Sequence, residues 1–484
     1  MSLLTSLGFA RASLINSGEL SSLVSRNIAN AGVDGATRKT AATISGADGG
    51  VTVGAVQRIV DSSLYQHVLV ATSQQSAQAM LAKSLDTLNQ TIGDPATKNS
   101  PAALIGELLS SLQQFSVTPS DLSQAQSTVA TARQLAASLN SGTQTIQSAR
   151  LAADVSIDQD VANLNKQLAQ FDGLNKSIIA GTLSGRDVTD QSDQRDKLVK
   201  DMSKIIGITV VPRANNDVAI YTDSGVPLFE TSARQVKFAP TSAFGPSTSG
   251  SAVFVDDVQV TGVGAPMAVQ SGEIAGAAQF RDGAAVDYQK QLDEIARGLI
   301  TTFAESTTSP PATAPGLFTY PGAPVLPLAG QTGLASTIRL AASVDPTKGG
   351  DALLLRDGGI AGATFKANPT GAAGFSDRIQ QLIGSLTGTQ SFSPTAQLGV
   401  SATLADYSAA SVAWLGAARK QASDDADYKG TVLQTSTLAL SNETGVNLDD
   451  QMMRLLDVER SFQASSKLIS TIDSMYNSLF SAIN

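Results

Sequence analysis

The side chains that could carry chemistry are few and poorly spaced for it. His67 is the only histidine among 484 residues, and there is no cysteine. A zinc or copper site needs several imidazole or thiolate ligands, and a catalytic triad needs a nucleophile beside a histidine. The sequence therefore predicts that His67 is a surface or interface residue rather than a ligand or a base.

Carboxylates are the remaining candidates, because paired acids can share a proton or bind Ca²⁺. They are grouped in three places, at Asp256-Asp257, at Asp424-Asp425 with Asp427, and at Asp449-Asp450. None has the spacing of an EF-hand loop, which favours solvated turns and helix starts. The glycine pairs lack the lysine and helix of a phosphate loop, and no GxSxG motif is present. We predict no catalytic residue, no cofactor, no metal site and no enzymatic activity.

Composition limits the possible partners. The formal net charge is −9, and no stripe of Lys and Arg is available to neutralise phosphates, which argues against nucleic acid. No apolar run reaches the length of a membrane span, and the N-terminus lacks the basic and apolar regions of a cleaved signal peptide. Charged residues make up only 15% of the chain, so much of its polar surface costs little to desolvate against a neighbouring subunit.

Both ends of the chain carry heptad patterns that must position any assembly surface. The N-terminal series are Leu7, Leu14, Ser21 and Ile28, and Leu3, Ala10, Ser17 and Val24. The C-terminal series are Leu448, Leu455, Phe462, Ile469, Tyr476 and Ile483, with Val458, Ile472 and Leu479 on companion positions. Asn447 is placed to cap the second helix. Because Gly18 and several serines weaken the seams, we expect the terminal helices to pair and to order fully only when neighbouring copies cover them.

The predicted fold class is mainly α with a smaller β-rich insertion, in discontinuous domains with a long-helix middle domain. Helical periodicity covers about 60–92, 101–139, 143–182, 191–206, 272–306, 376–386 and 396–441, and strands are predicted at 208–212, 217–222 and 252–260. The predicted parts are a terminal helical core domain with coiled-coil-like pairing (1–45 and 442–484), a helical middle domain (46–207, 272–306 and 376–441), a β-rich module (208–271), and a Pro/Gly-rich loop or small outer element (307–375).

Short motifs along the chain resemble those of flagellar axial proteins. The run NIANA at 27–31, with GATR at 35–38, is similar to the NIANA and GYxR signature of rod, hook and hook-associated proteins, with Ala36 in place of the usual Tyr. TDQSDQRDKL at 189–198 resembles the DLLDQRDxL segment of the hook-associated protein 1 family. SGEIAG at 271–276 with QFRD at 279–282 resembles SGELGGLLxFRD, and TGVNLDD at 444–450 with FQAS at 462–465 resembles SGVNLDEE and YQAS. The resemblance spans nearly the whole chain.

This resemblance implies a structural subunit at the hook–filament junction of the bacterial flagellum, exported by the flagellar type III apparatus without a cleaved signal and folding on assembly. The implied partners are further copies in a ring, the hook protein, a second hook-associated junction protein and an export chaperone, with no nucleic acid and no membrane. The implied localisation is extracellular, in the flagellum. Alternatives are a hook or distal rod subunit and, from another class, a secreted coiled-coil adhesin or effector.

The predicted assembly interface combines the two seams with the NIANA motif. Its residues are Leu3, Leu7, Leu14, Val24, Asn27, Ile28, Asn30, Leu448, Leu455, Phe462, Ile469, Ile472, Tyr476 and Leu479.

Overall fold

The computed structural model describes residues 3–45, 51–92, 100–308 and 310–483. Its helices are α1 (Leu3–Asn30), α2 (Ser62–Ile92), α3 (Pro101–Val117), α4 (Leu122–Leu183), α5 (Thr189–Ile205), α6 (Glu273–Gln279), α7 (Ala285–Thr302), α8 (Leu334–Thr337), α9 (Leu354–Asp357), α10 (Asp377–Thr387), α11 (Leu404–Thr444) and α12 (Leu448–Ile483). A π-helical turn at Phe280–Ala284 joins α6 to α7. The predicted mainly-α class is confirmed.

The strands form small antiparallel sheets. They are β1 (Lys39–Ser45) with β2 (Val51–Arg58); β3 (Ile208–Pro212), β4 (Val218–Thr222) and β5 (Pro227–Phe229); β6 (Val236–Lys237), β7 (Phe254–Val255) and β8 (Val258–Gln259); β9 (Glu305–Thr308) with β10 (Pro311–Ala314); β11 (Phe318–Thr319) with β12 (Arg339–Leu340); and β13 (Thr389–Ser391) with β14 (Ser401–Thr403). The Pro/Gly-rich stretch thus holds two-stranded pairs and short helices in addition to loops.

Helix α4 is a single helix of 62 residues, about 93 Å long at 1.5 Å per residue. The predicted break between residues 139 and 143 is wrong. Gly142 is buried within the helix, and the Asn140 side chain donates hydrogen bonds to the carbonyls of Ala335 at 2.7 Å and Ile338 at 3.3 Å. The burial of Gly142 and these two hydrogen bonds outweigh the weak helix propensity of Asn and Gly.

Three further boundaries differ from the predictions. The strand predicted at 252–260 is a hairpin, because Asp256 adopts a φ of 51° and turns the chain between β7 and β8. The helix predicted over 272–306 contains the π-helical turn and ends at Thr302. The helix predicted from residue 396 begins at Leu404, where the Thr403 hydroxyl caps it by accepting the Asp406 N–H.

One cluster of buried apolar side chains extends from Leu69 on α2 to Ala422 on α11. It includes α4, α7 and side chains of both β-rich stretches, such as Val253 and Phe318. Helices α2 and α11 pack along each other and lead from this body toward the chain termini, where α1 packs on α12. Within the described residues, no side chain of α1 or α12 belongs to the central cluster. The terminal pair therefore depends on its own seam and on a separate attachment to the body.

Candidate assembly surface and its attachment to the helical body

Helices α1 and α12 pair antiparallel. The Ser13 and Ser465 hydroxyls are 2.7 Å apart, and the Ser17 hydroxyl donates to that of Ser461 at 3.3 Å. As the position on α1 rises, the position of its partner on α12 falls by the same amount, as antiparallel helices require. The buried positions of α1 that recur every seven residues are those of the second predicted series, at Ala10, Ser17 and Val24.

The structure brings the predicted interface residues together on this one helix pair. Val24, Asn27 and Ile472 are buried, Leu3, Leu7, Leu14, Ile28, Asn30, Leu455, Ile469 and Tyr476 are half-buried, and Leu448, Phe462 and Leu479 are exposed. The series beginning at Leu7 lies beside the seam, since the series beginning at Leu3 faces α12. The predicted role of these residues in contacts between subunits stays a prediction.

Small polar side chains occupy the centre of the seam. Ser17 is 2% exposed and Ser465 is 5% exposed, where a coiled coil would bury Leu or Ile. An open groove of about 450 Å³ lies beside the seam. It is lined by Ser17, Gly18 and Ser21 of α1 and by Leu455 and Phe462 of α12. A buried Leu or Ile would stabilise the pair by about 1.5–3 kcal/mol, so each serine in its place lowers the stability of the isolated helix pair.

The outer surface of α12 is unusually apolar for a solvent-exposed helix. Its large side chains that are at least 44% exposed are Leu448, Met452, Met453, Leu456, Phe462, Leu468, Met475, Leu479 and Phe480. So many exposed apolar side chains on one helix are typical of a site of protein–protein contact. Only part of this surface was predicted, because the methionines do not fall on the heptad seam.

The NIANA motif forms a clasp where α1 ends. The Asn27 side-chain amide donates to the Lys39 carbonyl at 2.9 Å and to the Gln451 side chain at 2.9 Å, and its oxygen accepts the Lys39 N–H at 3.0 Å. One buried side chain thereby joins α1, β1 and α12. Asn27 is therefore held inside this chain, at the base of the surface it was predicted to form.

An ionic cluster on α5 fastens the terminal pair to the helical body. The Lys39 ammonium, 1% exposed, pairs with Asp190 and, at 3.1 Å, with Asp193. The Arg58 guanidinium contacts Asp193 at 3.3 Å and Asp196 at 2.6 Å. Asp193 also accepts the Thr37 hydroxyl at 2.7 Å. The TDQSDQRDKL motif is thus the acceptor side of a joint between α5 and the segment that follows α1.

The electrostatics of the joint favour its charged forms. Burial lowers the pKa of Arg58, but the carboxylates of Asp196 and Asp193 outweigh this effect and leave that pKa above its usual value. Burial likewise opposes ionisation of Asp187, yet hydrogen bonds from Thr189 and the nearby guanidinium of Arg26 hold its pKa below the usual range. Arg58 and Asp187 consequently keep their charges across the neutral pH range. Sequence reasoning missed it, although the acidic run and the basic residues flanking the hairpin were visible.

The SGEIAG motif serves close packing. Gly272 has a φ of 94°, and a Cβ there would lie 2.5 Å from the Ile206 Cα. Gly276 faces the carbonyl of Ala77, where a Cβ would lie 2.3 Å from the oxygen. Only glycine allows α6 to cross α2 and the end of α5 at this distance.

The FRD motif supplies a buried ion pair. Arg281 and Asp154 are both 0% exposed and are bonded to each other, while Arg281 also binds Asp282 and the Ser251 carbonyl, each at 2.7 Å. Burial lowers the pKa of Arg281, but Asp282 and Asp154 more than compensate and raise it. Arg150 fixes the neighbouring loop by donating to the carbonyls of Thr248 at 2.7 Å and Gly245 at 3.2 Å. This cluster holds the β-rich stretch against α4.

A carboxyl pair between α4 and α6 makes stability depend on pH. Burial and the neighbouring charge of Glu273 raise the pKa of Asp160 to about 7. In the unfolded chain Asp titrates near 4, so the folded state binds the proton more tightly and loses stability as pH rises from about 4 to 7. Asp160→Asn should therefore gain about 1–2 kcal/mol relative to the unaltered chain between pH 5 and 8, less than the full pKa shift implies because water screens the partly accessible pair.

Denaturant midpoints of both chains across that pH range measure this difference. Asp158→Asn, which removes an exposed charge from the same helix, is the matched control and should show no such pH trend. A constant difference between the Asp160→Asn variant and the unaltered chain would contradict the assignment.

The predicted carboxylate groups and His67 lie in turns and on helices, with Asp424, Asp425 and Asp427 on α11. Asp256 and Asp257 form a turn, Asn447 caps α12 by accepting the Asp449 N–H at 2.9 Å, and His67 is exposed on α2. No cluster of three or more potential metal ligands occurs in the described ranges. None of the described helices is long and apolar enough to cross a membrane.

The family models that match this chain and the curated proteins similar to it are all flagellar. Residues 66–309, half of the chain, match the family model described as the flagellar hook-associated protein FlgK helical domain, and residues 441–482 match that of the flagellar basal body rod FlgEFG protein C-terminal segment. The flagellar hook-associated protein 1 of Salmonella typhimurium is 25% identical over 292 residues, which cover 58% of this chain and 52% of that protein. Its Escherichia coli counterpart is 26% identical over 231 residues, covering 45% and 42% respectively.

A solved structure is also similar in part. The flagellar hook junction protein FlgK from Burkholderia pseudomallei aligns with a TM-score of 0.42 at 21% identity, covering 53% of this chain and 46% of that one. The chain spans about half the length of the curated relatives it matches. Because the FlgK helical-domain model covers half of the sequence and includes α5 and the FRD cluster, the chain belongs to the flagellar hook-associated protein FlgK family.

Proposed function

We propose that this chain is a structural subunit of the bacterial flagellum that forms the junction between hook and filament. The observation that carries the proposal is the weakly sealed terminal helix pair with an apolar outer face, attached to a rigid helical body of the FlgK family. The relatives named hook-associated protein 1 support the same role. Function is then a matter of subunit geometry, and no enzymatic activity is involved.

The terminal pair is the part that assembles. Its seam is polar at Ser17 and Ser465, whereas its outer face exposes Met453, Leu456 and Met475. Neighbouring copies would cover this face and add the burial that the isolated pair lacks. We propose that the pair stays loosely ordered during export by the flagellar type III apparatus and becomes fully ordered only on assembly.

The remaining parts of the proposal concern partners and domains. The partners are further copies in a ring, the hook protein, a second hook-associated junction protein and an export chaperone, and the location is the extracellular flagellum. The proposed parts are a terminal domain, a helical middle domain, a β-rich module and an outer element, with β2 (Val51–Arg58) moved to the terminal domain because it pairs with β1. The shared apolar cluster suggests that the last three move as one body.

Deletion of the chain from its own organism tests the function. A junction subunit should leave a complete hook and no filament, and the purified chain should add a layer to the ends of isolated hooks. The match of residues 441–482 to the rod-family segment favours a hook or rod subunit as the second candidate, and in that case deletion removes the hook itself. If the deletion strain has normal filaments, a secreted adhesin or effector is the remaining candidate function.

Substitutions on α12 should separate assembly from stability. Ile469→Ala removes a half-buried side chain and should weaken addition to hooks by about 2 kcal/mol, roughly thirty-fold, while the melting of the helical body stays unchanged. Leu183→Ala, at an exposed position on α4, is the control and should assemble normally. Hydrogen exchange of the free chain is the companion measurement. Strong protection across residues 448–483 before assembly would contradict ordering on assembly.

A further inference from the structure

The hairpin of β1 and β2 is an unprotected surface. Its outer half is exposed, with Ile44 55% and Val51 37% accessible. The strand residues 40–45 and 51–57 contain no charged side chain, although the connecting sequence 46–50 contains Asp48. Lys39 and Arg58 at the base of the hairpin are engaged in the α5 joint. No further described strand pairs with either edge.

The hairpin packs on α1 and α5, but the outer parts of both strands stay exposed. A two-stranded hairpin is marginally stable in water unless it packs on something, and proteins usually protect free strand edges with charge, proline or a covering element. The strands have a register shift between Ala41 and Thr43, but their outer half carries no charge and no proline. The uncharged faces of this ribbon, which expose Ile44 and Val51, therefore fit an apolar surface supplied by a partner, while the backbone groups at its edges stay in water.

An apolar surface lies on α12 of the same chain, close to the base of the hairpin. Met452, Met453 and Leu456 are 50%, 58% and 51% exposed on the first turns of α12. They directly follow Gln451, which shares the Asn27 clasp with the base of the hairpin. Because Gln451 faces α1, the helical period turns this Met/Leu patch away from α1.

The hairpin lies on the other side of the pair. It contacts α1 and α5, and its backbone is held by Asn27 of α1. Each copy thus offers an uncharged ribbon on one side and an apolar patch on the opposite side at one level. Surfaces arranged in this way meet head to tail when copies are placed around a common axis, and such contacts close into rings or continue as helices.

We propose that the β1–β2 hairpin of one copy packs on the Met/Leu patch of the adjacent copy. This inference rests on the proposed function, since it names the occupant of part of the assembly surface. A second copy is favoured over a hook subunit because this chain itself presents both surfaces side by side with its assembly helices.

Cysteine cross-linking tests the contact in the full chain, which has no native cysteine to interfere. Thr43→Cys and Thr52→Cys place a thiol on opposite faces of the hairpin, and Met453→Cys places one on the patch. A hairpin variant is mixed with the patch variant, added to isolated hooks and treated with a short bifunctional maleimide. Val263→Cys, 94% exposed in the β-rich stretch, replaces the hairpin variant in the control.

We expect a two-copy adduct when Met453→Cys is mixed with at least one hairpin variant, and none with Val263→Cys. Addition to hooks without any adduct between hairpin and patch would overturn this contact while leaving the proposed function intact. A hairpin thiol captured by hook protein instead would also overturn it. Failure of the unaltered chain to add to hooks would refute the proposed function and this inference together.

Discussion

The Arg281→Met variant is expected to unfold with a free energy about 3–5 kcal/mol below that of the unaltered chain. Arg281 and Asp154 are both fully buried, and the guanidinium also satisfies Asp282 and the Ser251 carbonyl. Methionine fills much of the volume but leaves the Asp154 carboxylate with the Thr241 N–H, at 2.7 Å, as its remaining hydrogen bond. An uncompensated charge in a low-dielectric site accounts for most of the loss.

Denaturant unfolding of the full chain measures this effect, with Arg419→Met as the matched control. Arg419 pairs with Asp86 at 3.1 Å, but both side chains are more than 40% exposed, so its loss should cost less than about 1 kcal/mol. Combining Arg281→Met with Asp154→Leu should recover part of the stability, because both members of the pair are then apolar. Equal effects of Arg281→Met and Arg419→Met would refute a structural role for the FRD cluster.

Periodicity could predict the helices and the terminal pairing because both depend on local pattern. The seven-residue series of the two ends indicated the seam, and Asn447 indicated the start of α12. The continuous helix at Gly142 could not be predicted from the pattern, since the hydrogen bond that supports it joins Asn140 to the carbonyl of Ala335, far along the chain. The turn at Asp256 could not be predicted for a different reason. A left-handed φ at a non-glycine residue interrupts a sequence that has the pattern of one continuous strand.

The attachment of the terminal pair was less accessible to sequence reasoning. Lys39 and Asp193 lie far apart in the chain, and each alone is an ordinary surface charge in any pattern. Only the fold makes Lys39 a buried cation that must find an anion. The family motif contains Asp193 but does not indicate its partner. The pairing of Asp193 with Lys39 is visible only in the structure.

The Asp193→Ala variant should weaken the joint and reduce filament growth strongly while leaving the helical body folded. Asp193 accepts hydrogen bonds from Thr37 and binds both Lys39 and Arg58. Without it, Lys39 keeps only Asp190, whose side chain is 48% exposed and therefore a weaker partner. Loss of a buried partner costs about 3–5 kcal/mol, and this loss falls on the contact between α5 and the terminal segment.

Hydrogen exchange locates the effect. In the Asp193→Ala variant, protection should fall in residues 37–45 and 51–58, while α4 and α7 keep theirs, because their core does not include the joint. Asp201→Asn is the matched control on the same helix, since Asp201 pairs only with the exposed Lys197 and Lys204 at 3.0 and 2.8 Å. If both variants support filaments equally well and retain the same protection, the α5 cluster does not transmit the position of the terminal pair to the body. If Asp193→Ala alone stops filament growth with a native helical body, the angle set at this joint is part of how the subunit assembles.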